Sequence, residues 1–343
     1  MDGKVALEEH FSTELNNRNW DAKGEEDRNG KAYAQDVERR LLDPDTCVAE
    51  MDRAGIEMCI MSLTSPGAQS VVDPRKAVEL ARESNEYAQS FMAKHPNRLS
   101  AFAAAPLQDV KAACDELNAT IGKGFVGVLV NGYTNSGPDE EVFYLDEAPL
   151  DDFWSECARL GAPVYLHPRE PLPSQQRSIK GYPELGGSAW AFFYETSTHA
   201  VRLMLSGVFD RFPELQVVLG HLGEGLPYML PRIQHRLDEQ REGNKGSKAK
   251  RRPSYYFAHN FHVTTSGHFH TKPFLEAVDQ IGADRMMFSV DYPYEQMDMG
   301  GRWFDDMRLE DALKLQIGRE NANRLFKLGL SQLPHAAAAG FGS

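Results

Sequence analysis

Short apolar runs recur along the 343-residue chain, and longer segments of helical periodicity separate most of them. The short runs are rich in branched and aromatic residues, which is typical of strands buried on both faces. The longer segments place apolar residues three and four positions apart, as on the buried face of a helix. The eight predicted strands are 4–7, 57–63, 100–104, 125–130, 163–166, 216–219, 261–265 and 286–290.

Several helix boundaries are marked in the sequence. Asp73 followed by Pro74 is typical of a helix start, and Gly161 and Gly282 stand where helices are expected to end. The predicted helices are 73–94, 110–121, 150–160, 196–209, 226–240 and 271–281.

Eight strands that alternate with helices predict an α/β fold of the (β/α)8 TIM-barrel type. A doubly wound open sheet is the alternative, but no glycine-rich phosphate loop opens the first helix. We expect one catalytic domain over residues 1–330. The polar segment 11–42 is long for a βα loop and is predicted to be an insertion that forms a lid or entrance wall. Residues 331–343 are expected to be a disordered tail.

The net charge of −13 argues against a nucleic-acid partner. A basic run at 245–252 lies among Gly, Asn, Ser and Pro, so we interpret it as a solvated loop, with a polyanion contact as the alternative. No apolar run approaches the length of a membrane span. The four cysteines are widely spaced, as expected for reduced thiols, and the start lacks a secretory signal. These features predict a cytoplasmic protein.

Polar residues follow four of the predicted strands directly: Glu8 with His10, then His167, His221 and Asp291. In barrels of this class, active sites lie at the carboxyl ends of the strands. Carboxylates and imidazoles together can ligate Zn²⁺ or Mn²⁺. Taken alone, the Glu8–His10 pair could be an exposed turn and each histidine a structural one. Their coincidence at four strand ends favours a metal site.

Several motifs resemble the amidohydrolase superfamily, and within it the hydroxybenzoate decarboxylases. The γ-resorcylate (2,6-dihydroxybenzoate) decarboxylases are the most similar group, and His10 favours them because the 2,3-dihydroxybenzoate and salicylate decarboxylases usually carry Ala there. The resemblance covers nearly the whole chain. Its motifs are GKVALEEHF at 3–11, FVGVLVNG at 125–132, YLHPR at 165–169, LGHLGEGLP at 219–227, TTSG at 264–267 and GADRMMFSVDYP at 282–293.

The resemblance implies that Glu8, His10, His167 and Asp291 bind one divalent metal ion, Zn²⁺ or Mn²⁺. It also implies that Asp291 protonates the ring carbon that loses CO₂, because such a reaction needs an acid at that carbon. The alternative role of Asp291 is that of a ligand alone. His221 and Glu224 resemble a dyad in which the carboxylate orients the imidazole, and a further metal contact is the alternative for His221.

Six residues are candidates for holding the substrate. By the resemblance, Arg232 reaches the polar groups of the substrate, sometimes across a subunit boundary, and a surface ion pair is the alternative. Asn131 could donate to a substrate hydroxyl at the end of the fourth strand. The aromatic side chains could stack on the substrate ring or pack in the core; they are Phe11, Trp20, Trp190 and Phe193.

Other histidines are interpreted as structural or rim residues. The cluster around the seventh strand looks like a metal motif, but the resemblance gives that strand no ligand. The structural or rim histidines are His259, His262, His268 and His270, whereas His199 is interpreted as a packed helix residue and His95 and His235 as surface residues. The chain also departs from the family at Glu170, usually Asn, and at Val290, Tyr292 and Tyr294, usually Thr, Trp and Phe. These changes bear on the substrate more than on the reaction.

The resemblance implies a carboxy-lyase that reversibly decarboxylates ortho-hydroxylated benzoic acids without an organic cofactor. It also implies a homo-oligomer, either a tetramer or a dimer. A metal-dependent hydrolase of lactones or amides is the alternative, although such hydrolases more often carry His-x-His on strand 1 and many carry a bridging Lys. A non-catalytic barrel would be expected to have lost ligands, and here all are present.

Overall fold

The structure is a computed structural model that describes residues 1–19, 23–240, 243 and 245–331. Eight strands form one parallel sheet in sequential order, β1 to β8, as predicted for the (β/α)8 barrel. The strands are β1 Lys4–Phe11, β2 Ile56–Leu63, β3 Leu99–Ala104, β4 Phe125–Asn131, β5 Val164–His167, β6 Val217–Leu219, β7 Phe261–Thr264 and β8 Met286–Met287. A two-residue antiparallel pair, Thr134–Asn135 with Val142–Phe143, lies outside the barrel sheet.

Helices surround the strands and fill the connections. The α-helices are Glu14–Arg18, Lys23–Asn29, Lys31–Leu41, Pro44–Ala54, Pro74–Lys94, Val110–Thr120, Asp151–Leu160, Ala191–Ser206, Val208–Arg211, Leu226–Asp238, Pro253–Asn260, Thr271–Ile281, Met297–Asp306, Asp311–Leu315 and Asn321–Phe326. A π-helical turn spans Gln316–Glu320. Short 3₁₀ turns span Gly67–Ser70, Ala148–Leu150, Pro173–Ile179, Pro183–Leu185, Gly187–Ala189 and Ala283–Arg285.

The predicted helix boundaries follow local chemistry. Asp73 accepts a hydrogen bond from the Arg75 N–H, so it caps the helix that begins at Pro74. Gly161 has a φ of 60° and ends its helix in the left-handed conformation that glycine favours. The predicted helix 196–209 is divided at Gly207, whose φ is 78°, and its first part begins earlier, at Ala191.

β1 is joined to the segment that follows β8 by side chains as well as backbone. Between Ala6 and Glu9, β1 carries a bulge relative to β2. The Leu7 and Glu8 N–H groups both donate to Ser289 Oγ, at 3.1 and 2.6 Å. Glu9 accepts from Ser289 Oγ, from the Val290 N–H at 3.0 Å and from the Tyr292 N–H at 2.8 Å. Burial raises the pKa of Glu9 to about 8, against those hydrogen bonds, which lower it.

The barrel interior and the helix layer have separate cores. The interior cluster includes Val5, Leu7 and Tyr165, and the terminal helix closes its lower end by placing Phe326 against Phe102 at 5.4 Å between ring centroids. The larger cluster lies between the strands and the surrounding helices. Because Val5 and Leu7 face inward, regular alternation would turn Glu8 outward. The bulge changes that phase, so Glu8 and His10 both lie at the upper end of the interior.

The predicted insertion 11–42 contains the end of β1 and three helices, and Gly24, Glu25, Arg28, Asn29 and Tyr33 line a cavity above the barrel. Its Trp20 lies outside the described residues, as do residues 332–343 of the predicted tail. The four cysteines are free, and three of them are buried. In the described part of the chain, no helix has the length and apolar character needed to cross a membrane.

Candidate metal and active site

Four predicted ligands converge at the carboxyl ends of the strands. Glu8 and His10 come from β1, His167 from β5, and Asp291 from the segment after β8; one ligand atom from each lies within 4.8 Å of the others. His10 Nε2 is 3.3 Å from Asp291 Oδ1, and His167 Nε2 is 3.4 Å from Glu8 Oε1. Because β1, β5 and the segment after β8 are far apart in sequence, only barrel closure brings their side chains together.

Hydrogen bonds fix the two imidazoles with Nε2 toward the centre. His10 Nδ1 lies 2.9 Å from Ser62 Oγ, and Ser62 Oγ donates to the Glu9 carbonyl, so the hydroxyl accepts from His10. His167 Nδ1 donates to the Pro168 carbonyl at 2.9 Å. Each bond places the ring proton on Nδ1 and leaves the Nε2 lone pair for a metal ion.

Glu8 is held through its other oxygen. Tyr165 Oη and Ser266 Oγ donate to Glu8 Oε2, and Thr264 Oγ1 donates to it at 3.3 Å. Glu8 Oε1 and His10 Nε2 are buried and have no hydrogen-bond partner within the described chain. Buried polar atoms without partners are costly. A divalent cation fits this set of two carboxylates and two imidazoles and would satisfy both atoms.

His221, the fifth polar residue at this end of the barrel, lies in a turn with left-handed backbone conformation. His221, Leu222 and Glu224 have φ angles of 49°, 55° and 53°, which are unusual for residues other than glycine. The turn brings His221 Nδ1 to 2.7 Å from Glu224 Oε1. It also places His221 Nε2 3.6 Å from Glu8 Oε1 and 3.5 Å from Asp291 Oδ2. The predicted His221–Glu224 pair is therefore present and touches the metal site.

Two glycines make room for this convergence. A Cβ on Gly220 would lie 2.7 Å from Glu8 Oε1 and nearer still to Oε2. Gly267 has a φ of 59°, and a Cβ there would lie 3.1 Å from His221 Cδ2 and 3.3 Å from Asp291 Oδ2. Both positions need glycine because side chains of the site occupy the adjacent space.

The pKa values of His167 and His221 are shifted in opposite directions. Burial, followed by the neighbouring His10, holds the pKa of His167 well below its usual value, which suits a neutral ligand. Burial also lowers the pKa of His221, but the Glu8 and Glu224 carboxylates outweigh it and raise that pKa well above its usual value.

The two carboxyl groups beside His221 shift in opposite directions. Burial raises the pKa of Asp291, but the adjacent His10 and His221 side chains outweigh burial and lower it, so the group is ionised. Burial raises the pKa of Glu224, against the lowering effect of His221. The proton in this cluster therefore resides on His221, next to an ionised Asp291.

The site opens into a cavity of about 1170 Å³. His167, His221 and Asp291 lie in its wall, together with predicted ring-stacking residues Trp190 and Phe193, whose ring centroids are 4.5 Å apart. The cavity is thus lined on one side by the metal site and on another by aromatic rings.

Three other predicted substrate residues lie away from this cavity. Phe11 is buried and packs its ring against Phe91, with centroids 5.2 Å apart. Asn131 is buried behind the loop at Gly67 and donates weakly to the Leu63 carbonyl at 3.5 Å. Arg232 is exposed on its helix and is absent from the cavity wall of its own subunit.

Sequence reasoning assigned no role to several residues that build the site. Tyr165 precedes His167 by two positions and so shares its strand face, a signal that could have identified it. Arg169 is buried, lies over the Tyr133 ring at 4.1 Å, and lines the cavity. Tyr294 also lines it, with its hydroxyl 2.6 Å from Thr64 Oγ1.

Most of the histidines that were set aside lie outside the site. His199 is buried and accepts the Leu145 N–H at Nε2, and His259 is exposed and stacks on Tyr255. His262 lies at the opposite end of β7 from the ligands. His268, interpreted as structural or rim, lines the cavity, as a rim residue would.

The sequence is similar to proteins of known activity along nearly its full length. A profile of the amidohydrolase family matches residues 10–328. γ-Resorcylate decarboxylase of Rhizobium sp. (strain MTP-10005) is 46% identical over 338 residues, covering 96% of this chain and 99% of that protein. The chain belongs to the amidohydrolase family. Within that family it groups with the γ-resorcylate decarboxylases, including that of Polaromonas sp. (strain JS666 / ATCC BAA-500) at 43% identity, 96% of this chain and 99% of that protein.

Solved amidohydrolase-family structures agree with this placement. A 2,6-dihydroxybenzoate decarboxylase complexed with 2,6-dihydroxybenzoate has a TM-score of 0.90 and 45% identity, covering 96% of this chain and 100% of that one. A dihydroxybenzoic acid decarboxylase from Polaromonas sp. JS666, with bound manganese and 2-nitroresorcinol, has a TM-score of 0.91 and 42% identity, covering 96% and 98% of the two chains. This chain is accordingly a decarboxylase, a carbon–carbon lyase.

Proposed function

We propose that this enzyme removes the carboxyl group of 2,6-dihydroxybenzoate or a similar ortho-hydroxylated benzoic acid, releasing CO₂ and a phenol such as resorcinol. The observation that carries the proposal is the convergence of a four-residue metal site and a charged His221–Glu224 pair on one aromatic-lined cavity. The relatives named above act on this class of acid, which supports the choice of substrate. The reaction is reversible, so high bicarbonate should drive carboxylation of the phenol.

We propose one divalent ion per subunit, held by Glu8, His10, His167 and Asp291. When bound, the ion supplies Lewis-acid polarisation of substrate oxygens and helps to orient the ring. Mn²⁺ is favoured over Zn²⁺ because the Polaromonas relative holds manganese. Ring protonation and loss of CO₂ involve no net oxidation or reduction, so no organic cofactor is needed in this proposal. Elemental analysis of the purified protein tests the choice of metal.

The side chains supply the proton. The carbon that bears the carboxylate must be protonated, after which the C–C bond breaks, CO₂ leaves, and the bond electrons restore the aromatic ring. We propose that Asp291 delivers this proton and that His221 Nε2, 3.5 Å from Asp291 Oδ2, holds it beforehand. Glu224 keeps His221 charged and oriented through the 2.7 Å bond to Nδ1.

Substrate contacts come from both the cavity and a neighbouring subunit in this proposal. Trp190 and Phe193 offer ring faces within the cavity. Arg232 is exposed and is proposed to reach the site of a second copy, where a guanidinium fork suits carboxylate or phenolate oxygens. Asn131 remains a candidate donor only if the loop at Gly67 moves, and Phe11 serves the core.

A homo-oligomer, either a tetramer or a dimer, accords with the apolar residues near the cavity mouth. Tyr228 is 77% exposed and Trp190 is 50% exposed, and both line the cavity. Exposed aromatic residues that lie close together often mark a surface that binds another protein or a ligand. Light scattering on the purified protein gives the mass that tests this. Cytoplasmic localisation stays a prediction from the cysteine pattern.

A substrate panel tests the proposed reaction. The manganese-loaded enzyme is incubated with 2,6-dihydroxybenzoate, 2,3-dihydroxybenzoate and salicylate, and loss of the acid and formation of the phenol are followed by liquid chromatography. We expect the highest kcat/KM for 2,6-dihydroxybenzoate. Failure to turn over any hydroxybenzoate, together with hydrolysis of a lactone or amide by the same preparation, would reject the proposal.

A further inference from the structure

A second cavity lies at the opposite end of the barrel from the metal site, and the decarboxylation chemistry does not use it. Its volume is about 420 Å³. It adjoins the N-terminal ends of β6, β7 and β8 and the last helix, Asn321–Phe326. The residues that line it are Gln216, His262, Asp284, Arg285, Arg324 and Leu325.

Two guanidinium groups face this cavity without carboxylate partners. Arg285 Nη1 donates to Gln216 Oε1 at 3.2 Å and to the Phe261 carbonyl at 3.1 Å. Arg324 Nη2 donates to the Asp284 carbonyl at 2.6 Å and to Asn321 Oδ1 at 3.0 Å. Among the described residues, neither arginine forms an ion pair, and Asp284 is the single carboxylate residue in the cavity wall. The two guanidinium groups and the one carboxylate together give the cavity wall a net positive charge.

His262 adds a buried polar atom without a partner. Its Nε2 lies 3.1 Å from Gln216 Oε1, an oxygen that also accepts from Arg285. Its Nδ1 is buried and has no hydrogen-bond partner within the described chain. Burial, followed by the charges of Arg285 and Arg324, lowers the pKa of His262 to about 3, so the ring is neutral.

We propose that this cavity binds a small oxyanion of the phosphate class, with Arg285 and Arg324 as its cationic partners. Guanidinium groups present paired N–H donors that match phosphate oxygens, and a bound anion would relieve the repulsion between two neighbouring cations. Inorganic phosphate is a tetrahedral oxyanion whose oxygens can accept from both guanidinium groups, so it is the probe for this site.

Calorimetric titration of the full-length, metal-loaded protein with inorganic phosphate tests this site. We expect binding to weaken about tenfold or more in Arg324→Gln, since one charge-assisted partner is lost, and to weaken less in Arg324→Lys. Arg324 is exposed, so its replacement leaves the barrel core intact. Arg308→Gln, at another exposed arginine, is the matched control and should bind phosphate like the unmodified protein.

Further titrations identify the source of the phosphoryl group. Tighter binding of glycerol 3-phosphate than of inorganic phosphate would identify a phosphorylated metabolite as the ligand, and the reverse order would identify free phosphate. Phosphate binding that is undetectable, or equally strong in Arg324→Gln and the unmodified protein, overturns the proposal, and equal strength would place the anion at the metal site instead.

Discussion

A single hydroxyl group, that of Tyr165, joins the packed interior of the barrel to the metal site. The ring belongs to the interior cluster and contacts Phe102 at 5.6 Å between centroids, while its Oη donates to Glu8 Oε2. Because the hydroxyl holds Oε2, the other carboxylate oxygen of Glu8, Oε1, faces His167. Partners of this kind set ligand orientation and tune metal affinity.

Replacing Tyr165 by Phe should therefore weaken metal binding without unfolding the barrel. The ring would remain packed, and losing one partner of a ligand typically costs about 10- to 100-fold in affinity. Metal affinity is measured by competition with a chelator, and unfolding is followed in parallel by circular dichroism. Tyr255→Phe, at an exposed tyrosine, is the control. Unchanged affinity in Tyr165→Phe would show that Ser266 and Thr264 suffice to hold Glu8.

Asp291 is predicted to act as both ligand and proton donor, and a conservative change separates the two roles. Asp291→Asn keeps one oxygen for the metal but removes the acid, so kcat should fall by about 100-fold or more while metal content persists. Metal content by elemental analysis and kcat with 2,6-dihydroxybenzoate are the measurements. Asp298→Asn, at an aspartate paired with Arg302, is the control. Normal metal content with full activity would exclude the donor role.

At the scale of elements, the structure departs from simple alternation where the site is built. The apolar runs predicted all eight strands because a strand covered on both faces must be apolar. They did not predict the β1 bulge between Ala6 and Glu9, since it depends on Ser289, which is far away in sequence. β8 ends at Met287 rather than at the predicted residue 290, because the Ser289 N–H donates to Thr265 Oγ1 and the Val290 N–H donates to the Glu9 carboxylate, and neither donates to a strand carbonyl.

The turn after β6 gives the element-scale prediction. Gly220 has an ordinary φ of −75°, so alanine would fit the backbone there. Its Cβ would, however, overlap the Glu8 carboxylate, at 2.7 Å from Oε1. We expect Gly220→Ala to displace Glu8 and lower metal content and activity together.

The matched control for this change is Gly246→Ala, because a Cβ on Gly246 meets nothing within 4 Å. Metal content and kcat are measured for both variants after equal metal loading. If Gly220→Ala bound metal and turned over substrate like the control, Glu8 would have to be free to move, contrary to the fixed position described above.

At the scale of the whole molecule, the candidate catalytic residues lie at the carboxyl ends of the strands. The packed layers of strands and helices around them stabilise the fold. The candidate ligands could be predicted because each lies at or just after the end of an apolar run in the sequence, whereas the cavity wall could not. Arg28, for example, reaches the cavity from the insertion and lies 3.3 Å from Glu170 Oε1 after β5. No local pattern signals such a contact, because it depends on where two connections meet in space.

Buried neutral histidines make the stability of the whole fold depend on pH. His199 accepts the Leu145 N–H at 2.9 Å, and burial, followed by the Arg202 charge, lowers its pKa to about 3. The unfolded chain has an ordinary value of about 6.5 and therefore binds the proton first as the pH falls. The free energy of unfolding is thus fully retained above about pH 6.5 and decreases between that pH and about 3, by up to about 1.4 kcal/mol per pH unit for this one imidazole.

Removing that imidazole should flatten the pH dependence. Urea unfolding followed by tryptophan fluorescence at pH 7, 6 and 5 gives the free energy of unfolding for the unmodified protein and for His199→Gln. The variant can be less stable at pH 7, because the Leu145 hydrogen bond is altered, but its stability should fall less steeply below pH 6.5. His259→Gln, at an exposed histidine, should keep the original slope. Equal slopes in all three proteins would mean that His199 does not gain its proton on unfolding, and the carboxylates would then have to account for the acid sensitivity.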